Sequence, residues 1–298
     1  MIPQQRSLSV SGATGVSPGL PAASSGRMPV PLCGNLAGRL PRAAILALLV
    51  AVFVIPPSAN RAVAEPADTE TPPDVSAKST GARAIPPSPK YYKGRKIADT
   101  MHFTGAEWLT RESREREEDC TTMLAALHVQ PGQTVCDMGC GNGFYTLKLA
   151  ELVGEKGTVL AVDIQPQMLS MLHQRAKADH IRNIKPVLGT LVDPKLPTGS
   201  VDLILLVDVY HEFSHPEQML AAMRKSLKPG GRLALVEFRE EDPNVPIKPL
   251  HKMSKEQILK EFPPNGFKLV EQFDKLPWQH LMFFERDDKA GEGEKSRD

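Results

Sequence analysis

The chain has 298 residues, of which 41% are hydrophobic and 24% charged, and its formal net charge is +1. That length allows one large domain or two small ones, and the composition is that of a soluble globular protein. The near-neutral balance gives no electrostatic footing for nucleic acid. The cysteines number four (Cys33, Cys120, Cys136 and Cys140), too few for a disulfide framework. No CxxC pair or Cys/His cluster has ligand spacing, so no metal site is expected.

Residues 1–64 read as an N-terminal leader. Its apolar core, residues 43–55, carries no charge and is shorter than the roughly 20 residues a bilayer-spanning helix needs. Arg39 and Arg42 flank it, and Ala62-Val63-Ala64 offers a small-x-small cleavage site, as in a secretory signal. Cleavage near Ala64 would give an exported protein, periplasmic or extracellular. Retention would leave a membrane anchor, hence membrane association through this segment. A misread start, with translation beginning at Met28, would leave the domain in the cytoplasm. Residues 65–89 are rich in Pro, Ala, Ser and Thr without apolar period, a disordered linker. Residues 90–129 form a helical extension, and 288–298 a charged, frayed tail.

Within 90–129, Met101-His102-Phe103 to Trp108 is either a lid over a ligand or a helix on the sheet's edge. Arg111 to Asp119 is dense in both charges, with Glu112 and Arg116 four apart, and reads as a solvated helix. From 130 to 287 strand and helix patterns alternate. Strands are expected at Val135–Asp137, Thr158–Val162, Ile184–Leu188, Val201–Val207 and Arg232–Phe238. The fourth is nearly all apolar, as a strand buried on both faces should be. Helices are expected at Phe144–Val153, Gln167–Ala178, Pro216–Leu227 (closed by the turn Lys228-Pro-Gly-Gly231) and Ser254–Phe262, with Ser254 as N-cap. Phe267–Phe273 and His280–Glu285 read as a closing strand pair. Such alternation implies a doubly wound, Rossmann-like α/β fold.

The strongest local signal is Asp137-Met-Gly139-Cys-Gly141-Asn-Gly143, between a strand and a helix. Glycines let the backbone turn tightly and approach a ligand. A GxGxG loop alone is weak, since dinucleotide-binding folds use a similar one. An acid, Asp137, precedes the first glycine, and a second, Asp163, ends the next strand, where a carboxylate can accept two hydrogen bonds from a ribose diol. The GxGxxG of a nicotinamide-dependent oxidoreductase is absent.

Together with Leu160–Ile164, Val201–Val207 and Leu227-Lys-Pro-Gly-Gly-Arg-Leu233, this loop resembles the class I S-adenosylmethionine-dependent methyltransferases, of the small-molecule, UbiE-like type. The resemblance covers about Gln130 to Phe284. It implies a seven-stranded, mostly parallel sheet with an antiparallel last strand, and S-adenosyl-L-methionine as cofactor. Gly139, Gly141 and Gly143 would pass under the methionine part of the cofactor. Asp137 would bind near its amino group, Asp163 would hold the ribose hydroxyls, and Ile164 would lie against the adenine. The family often places an acid after the third strand, against the adenine amine. Thr190 or Leu191 stands there in this chain, leaving Asp193 or backbone groups to serve. A non-catalytic module on the same fold is the alternative, since fold does not prove activity.

A methyl acceptor belongs beyond the carboxyl ends of the strands. Strand four runs into Asp208-Val-Tyr210-His211-Glu212-Phe213-Ser-His215. An oxygen or nitrogen acceptor needs alignment and a base titrating near neutrality, for which His211 is the first choice, with Asp208 or Tyr210 as its orienting partner. His251 either lines the acceptor site or sits on a solvated loop, and Trp278 is expected to pack. The partner is a small-molecule, lipid or quinone-like acceptor and not a nucleic acid, because no basic stripe with interleaved aromatics occurs. Oligomeric state is unreadable.

Overall fold

The computed structural model describes residues 85–288. The leader, its apolar core, residues 65–84 of the linker, Cys33 and the tail beyond 288 lie outside the described residues. No helix among the described residues is long and apolar enough to cross a membrane.

Two short strands, β1 (Tyr91–Tyr92) and β2 (Arg95–Lys96), pair antiparallel as a hairpin. A 3₁₀ helix (Phe103–Thr110), α1 (Arg114–Glu118) and α2 (Cys120–Ala126) lead into the sheet. Then follow β3 (Thr134–Met138), α3 (Phe144–Val153), β4 (Thr158–Asp163), α4 (Pro166–Ala178), β5 (Ile184–Leu188) and β6 (Val201–Val207). The chain ends with α5 (Pro216–Ser226), β7 (Leu227–Phe238), α6 (Lys255–Glu261), β8 (Phe267–Phe273) and β9 (Gln279–Arg286).

The seven-stranded sheet runs β5-β4-β3-β6-β7-β9-β8. Strands β3 to β7 are mutually parallel, and β9 lies antiparallel between β7 and β8. The doubly wound sheet with an antiparallel last strand is therefore present. Side chains alternate between its faces with period two. Cys136, Met138, Ile204, Leu206, Leu233 and Leu235 pack toward α5 and α6, with Met219, Leu220, Met223, Ile258 and Phe262. Val135, Leu203, Leu205, Ala234 and Val236 pack on the other face with Met123, Leu149 and Val153 of α2 and α3. Helix α6 starts where expected, Ser254 Oγ accepting from the Gln257 amide at 3.2 Å.

Two expectations need correction. Leu227 does not close a helix: it is extended and already pairs with Val201, and the ladder resumes only where Leu203 meets Arg232. Lys228-Pro-Gly-Gly231 is thus an irregularity inside β7, held by Lys228 Nζ on Asp202 Oδ2 at 2.7 Å. The charged stretch 111–119 is not a solvated helix either. Only Arg114–Glu118 is helical, Asp119 breaks it with φ 50°, and Arg114 and Glu118 are buried against each other at 2.7 Å. An i,i+4 ion pair reads alike whichever way it faces; here the Arg114 guanidinium lies over Phe144 and Tyr145 and turns the pair inward.

Gly143 begins α3 with φ 88°, and a Cβ there would lie 2.3 Å from Leu172 Cδ1 in the core. Gly143→Ala is expected to destabilise the fold by about 2–4 kcal/mol, through overpacking and a left-handed alanine. A thermal melt should show a fall of roughly 5–15 °C; an unchanged melting temperature would refute this packing role.

Candidate functional site

A cavity of about 490 Å³ opens at the carboxyl ends of the parallel strands, where an open α/β sheet places its ligands. Its floor is Met138, which ends β3, with Gly139 and Gly141 after it, and Asp163, which ends β4, with Ile164 and Gln165 after it. Its far wall carries Asp208, His211, Glu212 and Phe213 after β6, and Phe238, which ends β7, with Ile247 and His251 after it. Thr100, Met101, Trp108 and Leu109 close it from the N-terminal segment.

That segment is stitched across the strand ends by backbone groups. Gln165 accepts from the Phe103 amide (2.9 Å) and donates to the Met101 carbonyl (2.9 Å). Glu212 Oε1 accepts from the Met101 amide (3.1 Å), and Asn142 Nδ2 donates to the Ala106 carbonyl (2.9 Å).

At the glycine end, Gly139 has φ 70°, and a Cβ on it would meet Val209 at 2.4 Å. Only a bare backbone fits between that side chain and the cavity. Asp163 Oδ2 accepts from the Gly141 amide (3.0 Å) and Oδ1 from the Gln165 amide (2.8 Å). The carboxylate, with about four lone-pair sites, keeps accepting capacity for a ligand. Burial raises the Asp163 pKa, partly offset by these amides. Asp137 lies one layer behind the loop, buried on the α3 face, and accepts from Thr146 Oγ1 at 2.5 Å. Burial raises its pKa to about 6.

The expected residues do not all converge. Gly143 faces Leu172 rather than the cavity. Asp193 is absent from the wall: its carboxylate pairs with Lys195 Nζ at 2.7 Å, half-exposed, while Thr190 and Leu191 occupy the wall instead. Tyr210 is fully buried and donates to Glu261 Oε2 at 2.7 Å, away from the cavity. Asp208 lines the cavity but does not orient His211. Its Oδ2 accepts from Gln279 Nε2 at 2.7 Å, and its Oδ1 is buried without a hydrogen-bond partner among the described residues. Burial first, then the charges of Glu118 and Glu237, push its pKa well up. Trp278 lies outside the cavity wall.

The partner of His211 is Glu237, which the sequence reading missed. His211 Nδ1 sits 2.6 Å from Glu237 Oε2, and Glu237 Oε1 accepts from the Tyr210 amide at 2.9 Å. Burial lowers the His211 pKa, but the Glu237 carboxylate more than offsets this and leaves it raised. The available signal was an acid on the otherwise apolar β7, at the strand's carboxyl end. His251 also enters the site, its Nδ1 lying 3.1 Å from His211 Nε2. Burial, then the neighbouring His211, lowers its pKa. Glu212 completes the corner, burial raising its pKa to about 7. Behind the turn, Arg95 holds Glu261 through two bonds (2.8 and 3.0 Å) and donates to the His211 carbonyl at 2.9 Å.

Comparison with known proteins places this geometry. Residues 130–282, just over half of the chain, match the family described as methyltransferase domain. The ubiquinone/menaquinone biosynthesis C-methyltransferase UbiE of Citrobacter koseri is 36% identical over 111 residues, 37% of this chain and 44% of that protein. Demethylmenaquinone methyltransferase of Listeria welshimeri is 28% identical over 123 residues, 41% of this chain and 51% of that protein. The chain thus spans about half or less of the curated relatives' length. A crystal structure of an S-adenosylmethionine-dependent methyltransferase from Aquifex aeolicus shares the fold, with a TM-score of 0.59 at 24% identity over 62% of this chain and 98% of that one. The glycine loop, the strand order and the family match agree, and the chain belongs to the class I S-adenosylmethionine-dependent methyltransferases.

Proposed function

We propose that this protein transfers the methyl group of S-adenosylmethionine to a small, largely apolar, quinol-like acceptor. The observation that carries the reading is a single cavity with two unlike ends. One end is bare backbone and carboxylate, and the other is aromatic and aliphatic wall with an ionisable corner. The names of the relatives point to quinone rings as acceptors in those proteins. The wall formed here by Phe213, Phe238 and Ile247 suits such a ring.

Gly139, Gly141, Asp163 and Ile164 would hold the cofactor. The cradle fits it: Val209 behind Gly139 leaves no room for a side chain, so bare backbone lines the cavity there, and the Asp163 carboxylate stands at the wall. Asp163, with Asp137 one layer behind it, gives this end carboxyl groups suited to a cationic ligand. When bound, S-adenosylmethionine supplies an electrophilic methyl on a sulfonium. The chain's own work is then to align the nucleophile and take its proton. His211 is the base the chain supplies, with Glu237 fixing its ring and stabilising the imidazolium. Thr190 and Leu191 stand where an acid would be expected beside the adenine.

Asp163→Ala should weaken S-adenosylhomocysteine binding by about 1.5–3 kcal/mol or more in calorimetry, because charge-assisted hydrogen bonds vanish; equal affinity would remove Asp163 from the site. His211→Ala should cut turnover on a hydroquinone acceptor by about 10²–10⁴-fold while leaving cofactor affinity largely intact, and equal turnover would show that it is not the base. Asp137 adds a pH signature. Its carboxyl binds its proton more tightly folded (pKa about 6) than unfolded (3.8), so its stabilising contribution is present below the lower value and lost as pH rises through the higher. Asp137→Asn should therefore gain stability relative to wild type between about pH 4 and pH 7, on the order of 1–3 kcal/mol, while losing cofactor affinity. A stability difference that stays constant across that range would contradict the burial effect.

A further inference from the structure

We propose that His211, Glu212 and His251 bind one divalent transition-metal ion, of the zinc class, at the acceptor end of the cavity. The proposal rests on the reading of that corner as the place where the acceptor is activated. Two consecutive 3₁₀ residues, His211 and Glu212, meet His251 at the end of a second short turn, Pro249–His251. One ligand atom from each lies within 4.8 Å of the others.

The spacing fits a shared ion. Two nitrogens each about 2.0–2.1 Å from a tetrahedral ion lie roughly 3.3 Å apart, and His211 Nε2 and His251 Nδ1 are 3.1 Å apart. The second layer fits as well. Metal-binding histidines usually give their other ring N–H to a carboxylate, which fixes the tautomer and aims the free lone pair. His211 Nδ1 has that partner in Glu237 at 2.6 Å, and Glu237 is itself fully buried and held by backbone amides. Glu212 is pinned by the Met101 amide through Oε1 alone. All three side chains line the cavity, so a fourth position opens onto the acceptor space, as in catalytic rather than structural sites. Two imidazoles and one carboxylate favour zinc, manganese, iron or cobalt over magnesium or calcium.

Such an ion would act on the acceptor as a Lewis acid. An acceptor hydroxyl coordinated at the open position loses its proton to water. Its oxygen lone pair then forms the bond to the methyl carbon as the carbon–sulfur bond breaks, and the sulfide leaves neutral. His211 anchors the ion in this state; in the ion-free protein it is the base.

The test is a titration of the full chain, freed of metal by chelator, with cobalt(II) alone, following the visible absorption of a four- or five-coordinate site. One ion per chain is expected. His251→Ala, a half-buried position on a surface turn, and Glu212→Gln should each weaken uptake by about 100-fold or more, and Glu237→Gln, which leaves every ligand in place, by about 10–100-fold. Retained S-adenosylhomocysteine binding shows that each variant is folded. Absence of saturable cobalt uptake by wild type, or uptake that survives both His251→Ala and Glu212→Gln, overturns the ion site and leaves the methyl-transfer reading standing. Failure of wild type to bind S-adenosylhomocysteine would strike the methyl-transfer reading instead.

Discussion

A single buried carboxylate, Glu237, organises the working end of the molecule. It lies next to the end of β7 with no exposure, and removing a charge from water to such a place costs several kcal/mol unless donors gather round it. The donors it gathers are the amides of Tyr210 and His211 and the His211 ring. The turn after β6 is therefore folded around an acid belonging to the neighbouring strand. Satisfying Glu237 and placing the imidazole at the cavity are one structural event. Strand parity explains why the acid points there: Glu237 shares its sheet face with Leu233 and Leu235, the face covered by α5 and α6.

The opposite end of the cavity follows another logic. Asp163 and the glycine loop satisfy each other through the Gly141 amide, while Asp137 is sunk beneath the first turn of α3. Several carboxylates thus sit in low-dielectric surroundings with Arg114 as the cation in the wall beside them. Burial raises the pKa of Asp137, Asp163 and Asp208 alike. A cationic ligand would favour the charged form of each of them and draw those pKa values back down.

Much of this was legible in the chain. The apolar run of β6, the GxGxG loop and the acid at the tip of β4 fixed the class of sheet and one end of the cavity, because each depends on local pattern alone. Glu237 escaped because an acid in an apolar strand has no meaning until the strand order puts β7 beside β6. Tyr210 misled because an aromatic next to His211 in sequence points to the other side of a 3₁₀ turn, toward Glu261. His251 was ambiguous for the same reason: its distance from His211 is a property of two loops meeting, not of either one. The inward face of Arg114 and Glu118 was hidden because a salt-bridge spacing carries no sign of burial.

The bidentate Arg95–Glu261 pair ties the β1–β2 hairpin to α6 and, through the His211 carbonyl, to the working turn. Residues 85–129, ahead of the family match, therefore belong to the same folding unit as the sheet, while also supplying Met101, Trp108 and Leu109 to the cavity. Because the segment 97–110 touches both the glycine loop, through Leu109 and Ala106, and the turn after β6, through Met101 and Glu212, a change in it alters the enclosure of both ends of the cavity at once.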